Sequence, residues 1–133
     1  MTRTETKLIS VVDDDESIRD STRTLLRSVG HRVATFPSAE TFLESDALAK
    51  TECLILDIRM PGMNGLELQR RLRTSGVGVP IVFVTAHDDQ PNRHQAMVGG
   101  ATGFLCKPFD ASVLLTAVET ALKSNRKPKP DPC

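Results

Sequence analysis

Acids, a hydroxyl and an amine stand at the ends of apolar runs that lie far apart in this chain. The acids Asp13, Asp14, Asp15 and Glu16 follow the run 8–12, and Asp57 follows the run 53–56. Thr85 ends the run 80–84, and Lys107 follows the run 103–106. Three carboxylates within a few ångström repel one another and favour a bound cation. Oxygen ligands at an open, watery site suit Mg²⁺, or Mn²⁺ in its place, held by one or two carboxylates plus phosphate oxygens. An ammonium and a hydroxyl opposite that cation can receive an anion. Together these groups describe a phosphoryl-transfer site. Asp57 would be the nucleophile, forming an aspartyl-phosphate. Lys107 would neutralise phosphoryl charge, and the Thr85 hydroxyl would hold a phosphoryl oxygen.

Each residue alone has a plainer reading. Asp15 and Glu16 suit the first turn of a helix. Asp57 suits any loop, Thr85 a loop cap, and Lys107 a solvated surface. The pattern gains meaning only if one fold brings four strand ends to one rim.

The hydropathy pattern supplies such a fold. The runs 8–12, 32–36, 53–56, 80–84 and 103–106 read as strands, and helical spacing follows each. The run 53–56 is continuously apolar, as in a strand covered on both faces. The run 32–36 alternates, as at an edge. Gly30 offers a helix stop, and Ser38 can cap a short helix carrying Ala39, Phe42 and Leu43. Residues 60–65 form a turn-rich loop, and 75–78 read as a turn. The segment 90–98 is a weak helix with only Ala96, Met97 and Val98 apolar. The last helix is the clearest, with Val113, Leu114, Ala117, Val118, Ala121 and Leu122 on one stripe. Five strand–helix units predict an α/β fold: a doubly wound five-stranded parallel sheet with helices on both faces. Five strands favour the order 2-1-3-4-5, whose ligand crevice lies between strands one and three.

Composition excludes other classes. The chain has 133 residues, 17 Lys+Arg against 17 Asp+Glu, no Trp, no Tyr and five Phe. That length suits one domain. We expect an N-terminal extension over 1–6, the domain over 7–124, and a tail or linker start over 125–133. No apolar run approaches the roughly 18 residues of a membrane span, and the polar start is no signal peptide. Balanced charge gives no general attraction to nucleic acid. The missing Trp and Tyr remove a base-stacking platform. We therefore expect neither membrane association nor direct nucleic-acid binding. Cys53, Cys106 and Cys133 fit no disulfide or metal spacing, which with the missing signal points to the cytoplasm. Cys53 and Cys106 read as small buried apolar residues. His87 and His94 with Asp88 and Asp89 complete no zinc pattern.

Four motifs carry a resemblance over residues 7 to about 123: Val11-Val-Asp-Asp-Asp15, Leu56-Asp-Ile-Arg-Met-Pro-Gly-Met-Asn-Gly65, Val84-Thr-Ala-His87 and Phe104-Leu-Cys-Lys-Pro-Phe109. They resemble the receiver domain of two-component response regulators, in wording closest to FixJ-type receivers. The resemblance implies a flavodoxin-like fold and a sensor histidine kinase as the phosphoryl donor to Asp57. It makes Asp13 and Asp14, not Asp15, the metal-site acids beside Asp57, with the Arg59 backbone carbonyl as a further ligand. Thr85 and Phe104 match the switch pair, Lys107 the family's lysine, and Lys107–Pro108 a bond often cis. The resemblance implies self-catalysed phosphotransfer and autodephosphorylation rather than a conventional enzyme. It also implies a homodimer through the helix4–strand5–helix5 face, and transcriptional output through a helix-turn-helix domain that this chain lacks.

Arg59 and His87 flank the expected site, each two residues beyond Asp57 or Thr85, and we expect them to tune phosphoryl hydrolysis. Phe104 has no hydroxyl, so its inward and outward states should differ mainly in apolar burial. Two other readings compete. A phosphate-independent interaction module would not need an intact acceptor, metal and lysine set. A phosphatase with its nucleophile at the first strand matches the spelling Asp13-Asp-Asp15 but leaves Asp57 without a role.

Overall fold

A computed structural model describes residues 7–86 and 90–126. Five strands alternate with five α-helices: β1 Leu8–Val12, α1 Glu16–Ser28, β2 Arg32–Phe36, α2 Ala39–Leu43, β3 Cys53–Asp57, α3 Gly65–Thr74, β4 Ile81–Thr85, α4 Gln90–Val98, β5 Gly103–Cys106 and α5 Ala111–Arg126. All strand pairs are parallel, in the order β2-β1-β3-β4-β5. This is the flavodoxin-like topology expected from five alternating units.

The strands β1, β3 and β4 are buried along their whole length, which is why their sequences are continuously apolar rather than alternating. Side chains on alternate positions serve two cores. Leu54 and Leu56 of β3 pack on one face with Phe42 of α2, Leu68 and Leu72 of α3, Phe83, and Ala96 of α4. Cys53 and Ile55 pack on the other with Leu26 of α1 and Leu114, Val118 and Ala121 of α5. The polar exception in β1, Ser10, is satisfied at 2.6 Å by the Thr51 hydroxyl. The edge strand β2 is only partly buried, as its alternation implied.

Local signals act where the sequence put them. Ser38 caps α2 by accepting from the Thr41 N–H. Past α1, Gly30 takes φ +95°, a conformation that side chains with a Cβ rarely adopt. Three details differ from the sequence reading. A short 3₁₀ turn at Asp46–Ala49 was not foreseen, because only the Ser45 cap and Asp46 mark it. Pro80 lies just outside β4, although its carbonyl still accepts from the Leu54 N–H at 2.9 Å. The last helix runs through Asn125 to Arg126, into the segment expected as tail. The first proline there is Pro128, and proline restricts itself and the residue before it, which leaves the chain up to residue 126 unrestricted. Among the described residues, no helix is long and apolar enough to cross a membrane.

Candidate functional site

The order reverses between β1 and β3, so the carboxyl ends of those strands form the crevice. Val12 stands opposite Leu56, which sends Asp13 and Asp57 out of the sheet side by side. Asp57 in turn pairs with Val84, and Thr85 with Cys106. The Lys107 N–H then donates to the Thr85 carbonyl at 2.7 Å, bringing both residues to the same rim.

One carboxylate oxygen from each of Asp13, Asp14 and Asp57 lies within 4.8 Å of the others. Asp13 and Asp57 are buried, at 1% and 6% exposure, while Asp14 faces solvent. Hard oxygen donors in this arrangement, open on one side, fit a divalent cation with remaining water ligands. The Lys107 Nζ reaches Asp13 Oδ2 at 3.0 Å. Backbone contacts fix the aspartate that Lys107 pairs with. The Asp15 N–H donates to Asp13 Oδ1 at 2.9 Å, and Arg19 Nη1 donates to the Asp13 carbonyl at 2.7 Å. The Asp15 carboxylate belongs to α1 instead, as its N-cap, accepting from the Ser17 and Ile18 N–H groups.

Asp57 sits where its charge is poorly tolerated. Burial pushes its carboxyl up to about 7, and the Asp13 charge adds to this. The Lys107 ammonium opposes the shift, Asp14 contributes to it, and the Ile58 N–H opposes it less. An acid ordinarily near 3.8 is therefore shifted to titrate near neutral pH, first by burial and next by the Asp13 charge.

Thr85 is 3% exposed at the end of β4. Phe104 is half-buried on β5, its ring centroid 6.2 Å from that of Phe83. The Arg93 guanidinium of α4 lies 4.7 Å above the Phe104 ring, and its Nη2 approaches Cys106 Sγ at 4.0 Å. Cys106 is accordingly half-buried beside a cation, whereas Cys53 is wholly buried as expected. Arg59 is exposed and shares a cavity of about 530 Å³ with Met60, Pro61, Asn64 and Asn92. The Lys107–Pro108 bond is cis. His87, Asp88, Asp89 and Cys133 lie outside the described residues, and His94 is exposed on α4. The structure thus brings Asp13, Asp14, Asp57, Thr85 and Lys107 to one rim. Arg19, Arg93 and Asn92 were not foreseen. An arginine or asparagine in a helix gives no signal in sequence to separate a site neighbour from a solvated side chain.

α4 buries only Ala96 and is tied to α3 near its C-terminal end. Gln69 Nε2 donates to the Ala96 carbonyl at 2.9 Å, and Arg73 Nη1 to the Gly99 carbonyl at 3.0 Å. Met97 and Val98 of α4 and Val113 of α5 keep exposed apolar surface.

The model of the response regulator receiver domain matches residues 9–119. The chain belongs to that family. Nodulation protein W of Bradyrhizobium diazoefficiens is 45% identical over 120 residues, which cover 90% of this receiver and 53% of that protein. The structure of response regulator StyR superposes with a TM-score of 0.85 at 49% identity, covering 92% of this chain and 62% of that one. The crystal structure of FixJ-N superposes with a TM-score of 0.81 at 34% identity, covering 90% of this chain and 96% of that one. The FixJ-type resemblance of the motifs is thereby supported by fold and sequence together. The receiver spans about half the length of the curated relatives it matches.

Proposed function

We propose that this receiver is a phosphorylation switch, with Asp57 as acceptor of a phosphoryl group from a histidine kinase in the cytoplasm. Receivers of this family interact with such kinases. The observation that carries the reading is the convergence of Asp13, Asp14 and Asp57 oxygens within 4.8 Å, with the Lys107 ammonium on Asp13. Asp13, Asp14, Asp57 and the Arg59 carbonyl would hold Mg²⁺ or Mn²⁺. When bound, the cation supplies positive charge that offsets repulsion between the Asp57 carboxylate and the incoming phosphoryl oxygens. An Asp57 oxygen attacks phosphorus, the donor nitrogen departs, and a new O–P bond replaces the N–P bond. Lys107 balances phosphoryl charge and the Thr85 hydroxyl donates to a phosphoryl oxygen. Arg59 and His87 tune the later attack of water.

Phosphorylation then biases a two-state equilibrium. Thr85 moves toward the phosphoryl group, Phe104 fills the vacated space, and the face of α4, β5 and α5 changes. Met97, Val98 and Val113 supply apolar surface for a second copy. The receiver domain would begin at residue 7 and extend at least to the end of α5 at Arg126. Transcriptional output would require a further domain, consistent with the greater length of the relatives.

Three outcomes test this reading. Chelation by EDTA should stop phosphoryl uptake from acetyl phosphate, and Lys107→Ala should slow it about tenfold or more, followed by intact mass. Uptake that proceeds unchanged with EDTA contradicts the metal role. Dimerisation after acetyl phosphate treatment, read by light scattering, should weaken about tenfold in Val98→Asp, because a charge then replaces a buried apolar side chain. A dimer unaffected by that change would place the interface elsewhere.

A further inference from the structure

We propose that Glu40 is a positioning residue for the metal-holding loop. From α2 it fixes the backbone between β3 and α3 that presents the Arg59 carbonyl, and so sets divalent-cation affinity. This inference rests on the metal site proposed above.

The loop is closed mainly by its own residues. The Gly65 N–H donates to the Ile58 carbonyl at 2.9 Å. Asn64 and Glu67 exchange side-chain and backbone hydrogen bonds at 2.8 and 2.9 Å, a capping box that starts α3. A contact from a distant element comes at the loop's tip, where the Met63 N–H donates to Glu40 Oε2 at 3.0 Å across 23 residues of sequence. The approach is close. Gly62 has φ +77°, and a Cβ built there would lie 2.8 Å from that carboxylate oxygen. The end of the exposed Glu40 side chain is thus in close contact with the loop at Gly62 as well as hydrogen-bonded to Met63.

Glu40 is supported from behind. Its neighbours Ala39 and Phe42 are fully buried, so α2 is a fixed platform. Met60 and Met63 of the loop pack against the same core cluster as Phe42. The Met63 N–H, and next its own N–H, hold the Glu40 carboxyl below the usual glutamate range, as befits a carboxylate that accepts hydrogen bonds. Groups that orient ligands without touching the metal commonly govern affinity. A restrained loop also loses less freedom when its carbonyl engages a cation.

The experiment compares the unphosphorylated wild type, Glu40→Ala and Glu40→Gln. Mg²⁺ affinity is read by NMR titration, Met63 amide exchange without metal, and thermal midpoint by circular dichroism. Glu40→Ala should bind Mg²⁺ roughly 3- to 10-fold more weakly and exchange the Met63 amide faster, with little change in midpoint. Glu40→Gln retains an acceptor oxygen and should restore affinity to within about twofold of wild type. Equal affinity in wild type and Glu40→Ala overturns the inference and leaves the metal site standing. A Gln variant as weak as the Ala variant also overturns it, since remote charge and not positioning would then be the cause. A wild type that binds no Mg²⁺ overturns the metal site and this inference with it.

Discussion

Asp57→Asn is expected to stabilise the metal-free receiver at neutral and higher pH, although it removes the proposed acceptor. The sign follows from where the carboxyl holds its proton. Its ordinary value is 3.8 and the folded chain raises it to about 7, chiefly through burial and next through Asp13. The folded state thus binds this proton more tightly than the unfolded state. The resulting stability is fully present below pH 3.8 and is lost as the pH rises to about 7. A shift of that size corresponds to about 4 kcal/mol at ~1.4 kcal/mol per unit, and access of water to the open rim reduces it to on the order of 2 kcal/mol. Asparagine carries no charge and escapes the loss. Urea unfolding in EDTA, followed by far-ultraviolet circular dichroism because the chain has no Trp, should show the variant gaining on wild type between about pH 4 and pH 8. Mg²⁺ should close most of the gap by stabilising wild type. Parallel pH profiles for the two proteins would mean that Asp57 carries no such strain.

The second large effect is expected at Gly65, the first residue of α3. A Cβ there would overlap the Asp57 carbonyl oxygen and crowd the Ile58 Cα. Both obstacles are backbone, in a buried segment closed by the hydrogen bond from Gly65 to Ile58. Neither can swing aside as a side chain could. Gly65→Ala should therefore cost about 3 kcal/mol, the upper end for overpacking, read as a lower urea midpoint. It should also displace the Asp57 backbone and slow phosphoryl uptake. Gly78, where an added Cβ meets nothing within 4 Å, is the matched control, and Gly78→Ala should leave both readings nearly unchanged. A Gly65→Ala protein as stable as the control would show that the close approach is not rigid.

What the sequence made legible, and what it did not, follows from range. Strand order and the rim were accessible because five alternating strand–helix units favour one common order, and strand ends fix which polar residues lie at the crevice. Asp15 and Glu16 were legible as a helix-start signal, but only Glu16 lies in the first turn; Asp15 stands one step earlier as the N-cap, a distinction within the usual uncertainty of a helix boundary. Contacts between distant elements were not legible. Arg93 over Phe104, Arg19 on the Asp13 carbonyl and Glu40 on Met63 depend on how helices sit on the sheet. Local patterning does not encode that placement. Cys106 shows the same limit: its apolar neighbours in sequence suggested full burial, but β5 is the second edge strand of the sheet and the residue is half-buried beside Arg93. The run of the last helix to Arg126 was missed because a polar sequence can continue a helix that packing has already started.

The central claim is that Asp57 accepts a phosphoryl group at this rim. Intact mass of the receiver after acetyl phosphate and Mg²⁺ tests it most directly, with Asp57→Asn treated in parallel. One phosphoryl adduct is expected on the wild type, labile as an acyl phosphate, and none on the variant. An unmodified wild type, or an adduct that persists in Asp57→Asn, would contradict it.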